Sequence, residues 1–386
     1  MKTNLFFILF MLSSVLISAQ TVSKSVNVGV AGSLSTLLTA DQKNTVTNLT
    51  VTGTIDARDI KCMRDELLVL KQIDMSGASI AAYSGTGGTL AANSSYAANQ
   101  LPEYAFSFSS TSKGKVSLTS VLLPSGLTSM ANYSFWECTG LTDIKIPNTV
   151  TSLGEGSFKG CTNMTSAILC NSLTKVDNTA FYRCYALTSV IIPGTVTQIG
   201  SSSFYLCSNL ASISIPNSVK SIGDHAFEGC GWATSIALGS GIENIGTEAF
   251  KDCLSITAIS INRATGPVIN TATFSGMKKW EVLFEVPASR IPNYTSAPGW
   301  LEFTNIKEKT FTSLQNLNQT NHITFIPTTN GIMVSNLQDN ELIGVYSITG
   351  EQVFLARSRG NQQHIQLEKG RIYVIKTKAE NLKVSL

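Results

Sequence analysis

The sequence predicts a mainly β protein with some α-helix: a solenoid of 23-residue coils, a small helical N-terminal cap and a C-terminal β-sandwich. Three observations predict it. Six cysteines, Cys138, Cys161, Cys184, Cys207, Cys230 and Cys253, follow one another at a constant step of 23 residues, and Phe135, Phe158, Phe181, Phe204, Phe227 and Phe250 keep the same step three residues ahead. A fixed period in the twenties is the signature of stacked coils, none of which can bury its apolar face alone. Thr, Ser, Asn and Gly are abundant and helix-favouring stretches are few, a β-rich composition. Short alternating runs separated by Gly- and Asn-containing turns fill the end of the chain.

Residues 1–19 read as a secretory signal: Lys2 supplies the positive start, Leu5 to Ile17 an apolar run, and Ser18-Ala19 the small residues before a cut at Gln20. That run is too short to span a bilayer, and no later segment approaches the about 20 apolar residues required. With no cysteine at the cut there is no sign of a lipid anchor, so the expected product leaves the cytoplasm as a soluble protein. Residues 20–103 are expected to form the cap and a mobile insertion. Ser35 to Leu38 and Arg58 to Leu70 have helical character, the second carrying Met63, Leu67, Leu68 and Leu70 on or near one face. Ile73 to Gly77 then reads as a strand, and together these would hide the N-terminal edge of the stack. Ser84 to Ala98, rich in Gly, Ser, Ala and Asn, reads as a mobile loop.

The solenoid is expected over residues 104–306, beginning with an irregular coil at Tyr104-Ala105-Phe106. In Leu141-Thr142-Asp143-Ile144-Lys145-Ile146-Pro147, the first, fourth and sixth residues point inward on a short strand, which Pro147 ends because it cannot donate to a ladder. Asn148-Thr149 turns the chain, Val150 and Leu153 return to the core, and Gly154 recurs as Gly200, Gly223 and Gly246 where the backbone needs a permissive conformation. The last coil drifts: Thr273 stands where the step expects an aromatic, Phe274 comes one place late and Met277 replaces the cysteine. Prolines from Pro287 to Pro298 break the pattern, residues 307–322 read as a polar linker, and residues 323–386 as the β-sandwich.

Charge is low, 14% of residues with a formal net charge of +3, so nothing points to nucleic acid. The Lys and Arg residues between Lys369 and Lys383 read as covering solvated strands. Eight cysteines in a secreted chain would suggest disulfides. Six of them, however, occupy equivalent positions of successive coils. Adjacent coils are close enough for a bond, but parallel Cβ vectors make one awkward, so the expected state is a ladder of free, buried thiols. No histidine accompanies that ladder and no CxxC pair exists, which argues against zinc and any other metal or cofactor.

The repeating Leu-Thr-Ser-Val-x-Ile-Pro, Val-x-x-Ile-Gly and Ala-Phe-x-x-Cys blocks resemble the BspA-like leucine-rich repeats of bacterial surface proteins, over roughly residues 104 to 285. Leu34 to Asp41, Ile55 to Asp59 and Ile73 to Gly77 look like that family's cap. The resemblance implies a secreted or surface-exposed leucine-rich-repeat solenoid, with adhesion or host contact as the usual role. The C-terminal module resembles the type IX secretion sorting domain: Val345-Tyr346-Ser347-Ile348-Thr349-Gly350-Glu351-Gln352-Val353 looks like its paired strands, with Ser347 where Asp is usual. Gly370 to Lys376 and Leu382 to Val384 look like its closing strands, although Ile326-Pro327 departs from the usual Asn-Pro start and one extra residue precedes Tyr373. This second resemblance implies export machinery as a partner and the outer surface of a Gram-negative bacterium as the destination.

Convergent catalytic groups are not evident. His225 occupies a variable coil position filled elsewhere by Tyr133, Gly156, Thr179, Ser202 and Glu248, His322 and His364 lie in the tail, and no recurring Asp or Glu partners any of them. No phosphate-cradling loop or metal-ligand pattern appears. Two surfaces suit non-catalytic binding. The strand face presents Asp143 and its serine equivalents beside Leu122, Lys145, Ile168 and Ile191, a nearly uncharged strip about 25 to 30 Å long whose outward isoleucines also fit plain ladder stabilisation. The second surface carries Trp136, Tyr182 and Tyr205 at one coil position, extended by Tyr185, either as flat faces for sugars or protein side chains or as padding between coils. The expected partner is a host extracellular matrix protein or a glycan; the alternatives are a structural spacer and, last, an enzyme.

Overall fold

The computed structural model describes residues 21–309 and, beyond them, the segments 324–328, 331–335, 342–347, 352–357, 362–367, 372–376 and 381–385. The signal segment 1–19, most of the linker, His322 and the turn at Gly350 lie outside the described residues.

The central coils build three ladders. On one wall the strands Asp143–Lys145, Ser166–Ile168 and Ser189–Ile191 pair in parallel, Asp143 facing Ser166 and Ser166 facing Ser189, one coil per step. On a second wall Lys175–Val176, Gln198–Ile199, Ser221–Ile222 and Asn244–Ile245 pair in the same way. The third wall is aromatic. Phe106, Phe135, Phe158, Phe181, Phe204, Phe227, Phe250 and Phe274 are buried, with successive ring centroids 5.0 to 5.5 Å apart and planes within 17°. Phe274 thus keeps the ladder despite its late position. All eight cysteines are unpaired and buried. Cys161, Cys184, Cys207, Cys230 and Cys253 each donate at 3.2 to 3.4 Å to the carbonyl of a phenylalanine in the preceding coil, whereas Cys170, outside that column, donates to the Val150 carbonyl at 3.0 Å.

The glycine column has a different cause from the one expected. Gly154, Gly200, Gly223 and Gly246 do not have positive φ. A Cβ on any of them would lie 2.4 to 2.6 Å from atoms of the preceding coil, so close approach of two backbones excludes a side chain. The left-handed residues are Tyr133, Gly156, Thr179, Ser202, His225 and Glu248, with φ between 52° and 58°. A second left-handed residue follows in each coil at Glu137, Gly160, Arg183, Leu206, Gly229 and Asp252. Outside glycine this conformation costs roughly 1–2 kcal/mol. It persists because the N–H groups donate to the next coil, for example Thr179 to Ser201 at 2.9 Å and Arg183 to Tyr205 at 2.7 Å.

The N-terminal segment is more than a helical cap. Strands Ser23–Val28 and Asn48–Ile55 run parallel to each other and join Gln72–Asp74 and Ser120–Leu122 in one sheet, burying Val28, Leu49, Val51 and Ile55. They are additional coils, and Ser23–Val28 is itself the edge strand that a cap was expected to hide. Short helices Leu34–Leu37, Ala40–Thr45 and Ala57–Asp65 lie between strands, the last two started by capping boxes at Thr39 and Asp56. The expected mobile loop is an antiparallel ribbon, Tyr83–Gly85 with Ser94–Tyr96, in which the two tyrosines stack at 6.0 Å. Buried Arg64 ties it down by donating to the Thr89 carbonyl at 2.9 Å.

At the far end Phe274 meets Trp300 and Phe303, and Phe284 stacks on Trp300 at 5.2 Å, closing the apolar column. Strands Leu283–Pro287 and Ile306–Lys309 extend the sheet, so its last strand runs past the boundary expected at residue 306. Lys309 pairs there with Glu285. Among the described residues the tail holds seven antiparallel strands, in one sheet of three and one of four, with Ile343, Val345 and Ile365 buried.

Candidate functional site

The two left-handed residues in each coil bring the chain outward beside the phenylalanine column. Their conformation repeats while their side chains change, which makes a rigid ridge with a variable surface. On it Tyr104 and Tyr133 stack at 5.4 Å, and Trp136 tilts against both at 6.2 and 5.5 Å. Lys159 Nζ lies 5.7 Å from the Trp136 ring centroid and 5.1 Å from that of Tyr182. Tyr182 stacks on Tyr205 at 4.7 Å, and the Arg183 guanidinium lies 5.2 Å from the Tyr182 centroid. A cation between aromatic faces contributes about 0.5–1 kcal/mol when exposed and more when dry.

Burial shifts two ridge groups toward their neutral forms. Burial and the Glu155 carboxylate, which accepts from the Tyr133 hydroxyl at 3.1 Å, push that phenol up to about 12. Burial also raises the Glu137 carboxyl, against the pull of Arg183 and Lys159. The Trp136 indole N–H is buried without a partner, the kind of unsatisfied donor that native structures keep for a reason.

Of the residues singled out from sequence, Trp136, Tyr182 and Tyr205 are half-buried on this ridge, while Tyr185 is exposed. The other four meet on the strand face. Lys145 faces Ile168 and Ile168 faces Ile191, while Asp143 lies in the neighbouring row opposite Ser166. Ile191 is 43% exposed and Leu122 51%, so that row presents apolar surface to solvent. Sequence reasoning missed Tyr104, Tyr133 and Arg183. Tyr133 stands in the variable row, where a column of left-handed residues leaves no constant letter to find.

No recurring acid was expected beside a histidine, but two acids that occur singly in their columns, Glu228 and Glu248, meet His225. Its Nδ1 lies 2.6 Å from Glu228 Oε2 and 3.3 Å from Glu248 Oε2, and Lys251 binds the same carboxylates. A groove of about 320 Å³ runs past Ser201, Asp224, Asn244 and Asn270. Its carboxylate is committed to structure: Asp224 Oδ1 accepts from the Thr247 N–H at 2.7 Å.

Stacked parallel coils around one apolar column, with a rigid variable ridge, define a repeat scaffold of the leucine-rich class. The family description BspA type Leucine rich repeat region matches residues 92–210 and 197–295 in 6 copies, and the chain belongs to that family. No curated protein matches it. Among solved structures, a leucine-rich repeat protein of T. pallidum is 28% identical, covering 41% of this chain and 71% of its own, with a TM-score of 0.37. A leucine-rich cell surface protein from Faecalibacterium prausnitzii A2-165 is 18% identical, covering 76% and 84%, with a TM-score of 0.32. The pneumococcal vaccine antigen PcpA is 14% identical, covering 75% and 79%, with a TM-score of 0.34. Among the described residues no helix is long and apolar enough to cross a membrane.

Proposed function

We propose that this chain is a secreted, cell-surface repeat protein whose solenoid is a non-catalytic binding module for a host extracellular matrix protein or a glycan. Residues 1–19 direct export from the cytoplasm, and the C-terminal module engages a type IX export machinery. The observation that carries the binding reading is the continuity of the ridge. From Tyr104 through Tyr133, Trp136, Lys159 and Tyr182 to Tyr205, each ring or cation lies within 5.7 Å of the next. Aromatic groups with polar rims dominate recognition energetics because they bury large area at low entropy cost. One feature favours the spacer reading instead: Tyr182 and Tyr205 turn faces toward each other and so fill the gap between coils.

The test is an array of glycans and matrix proteins probed with the purified chain, with Tyr182→Ala/Tyr205→Ala and with Ile168→Ser/Ile191→Ser. Binding lost only in the tyrosine variant, with folding kept, supports the ridge. Loss only in the isoleucine variant moves the site to the strand face. No hit favours the spacer, and a hit indifferent to both variants places the ligand on another surface.

A further inference from the structure

We propose that His225, Glu228 and Glu248 form a binding site for a divalent cation of the zinc class, on the same ridge, beginning one coil beyond Tyr205. The stack builds the site. His225 and Glu248 occupy the same position of successive coils, both left-handed with φ of 57° and 55°, so the repeat aims them at one point. Glu228, three residues after His225 and only 9% exposed, closes the set from below. One ligand atom from each lies within 4.8 Å of the others. Zinc bonds of about 2.0–2.2 Å in a tetrahedron put neighbouring ligand atoms about 3.3 Å apart. The His225 Nδ1 to Glu248 Oε2 distance, 3.3 Å, already has that value, and the 2.6 Å approach of Glu228 has to open by less than an ångström.

The donor set is one imidazole, which suits zinc, and two carboxylates, which zinc also accepts, and three such ligands leave its fourth position open. All three residues stand in turns, which hydrogen bonds between coils hold in place: the His225 N–H donates to the Thr247 carbonyl at 2.9 Å, and the Glu228 carbonyl accepts from the Leu206 N–H at 2.7 Å. The site already holds a positive charge: Lys251 Nζ lies 3.2 Å from Glu228 and 2.9 Å from Glu248. Lys251 is therefore a tethered competitor, and a cation enters by displacing the ammonium toward solvent. The sequence hides this set because its members are spread over two coils, in columns that elsewhere hold Tyr, Ser, Thr and Trp.

The test titrates the full metal-free chain, kept reduced, with Co²⁺ as a spectroscopic probe and then with Zn²⁺ by calorimetry. His225→Ser is the ligand variant, because Ser202 fills that position one coil earlier and the fold tolerates it. Expected are one equivalent bound with nitrogen and oxygen ligation, a loss of more than about tenfold in affinity in His225→Ser, and a gain of similar size in Lys251→Met. The proposal is overturned by no binding to the native chain, whether or not Lys251→Met binds. It is equally overturned by affinity indifferent to His225→Ser, or by a thiolate charge-transfer band that puts the metal on cysteine.

Discussion

A thiol in the middle of this stack has nowhere to ionise. Cys161, Cys184, Cys207 and Cys230 are wholly buried, and burial above all raises them far above the ordinary thiol value. Cys138 and Cys253, nearer the ends of the column, are each pushed up to about 12. The sign of the consequence follows. These groups stay protonated when folded, whereas unfolded thiols release protons near their ordinary value of 9.0. Their stabilising contribution is complete below about pH 9 and is lost progressively above it, up to about 12 for Cys138 and Cys253. In that window each thiol removes about 1.4 kcal/mol of stability per pH unit. Denaturant unfolding under reducing conditions across that window should therefore show a steep loss, less steep in Cys161→Ala by one thiol's share. Equal slopes would mean that this position is not a buried thiol. The cysteine column was legible because its letter repeats with its environment. The glycine column was legible only as a pattern, since the contact that excludes a side chain joins residues of two coils. The left-handed column was not legible at all, because its conformation recurs while its letters change.

At the scale of elements, the phenylalanine ladder decides whether the coils form one cooperative unit. Phe181 lies between Phe158 and Phe204 with both centroids at 5.3 Å and no exposed surface. Phe181→Ala should cost about 3–5 kcal/mol, the range for removing a large ring from a core that cannot collapse, as read from denaturant midpoints at constant slope. A cost under about 1 kcal/mol would mean that the coils repack around the gap and that the ladder is not a close-packed column. The same element explains what sequence reasoning left out. The strands Ser23–Val28 and Asn48–Ile55 belong to the stack by their pairing, yet their coils contain neither a phenylalanine nor a cysteine of the repeat. Their spacing also drifts: Ser23 faces Asn48 and Asn48 faces Gln72, steps longer than the one between Asp143 and Ser166. Helix signals at Leu34 and Arg58 were real but short, and they mark crossings between strands rather than a separate cap. The ridge occupied an intermediate position. Trp136, Lys159, Tyr182 and Tyr205 share a coil position in sequence, whereas the insertion of Lys159 between two rings is a property of the stack.

For the whole molecule, the end of the solenoid decides where a truncation that tests the proposed export role has to fall. In a stack, each coil is stabilised by its immediate neighbours, so a cut is felt only at the interface it exposes. Strand Ile306–Lys309 pairs with Leu283–Pro287, against which Phe284 and Val286 are fully buried. A chain ending at Lys309 keeps that strand and its Glu285 partner, so its thermal transition should match that of the intact solenoid. A chain ending at Asn305 loses the strand, opens the Leu283–Pro287 edge to other chains, and should melt several degrees lower with a tendency to aggregate. If the tail is a sorting module, the Lys309 chain should fold normally and yet collect in the periplasm, as read by cell fractionation beside the full-length protein. Surface display of the Lys309 chain at the full-length level would refute that role and leave the seven tail strands as an independent module. Retention of the Asn305 chain alone would carry no such meaning, because misfolding at the open edge explains it equally well. The strand that extends past residue 306 therefore determines which truncation tests export.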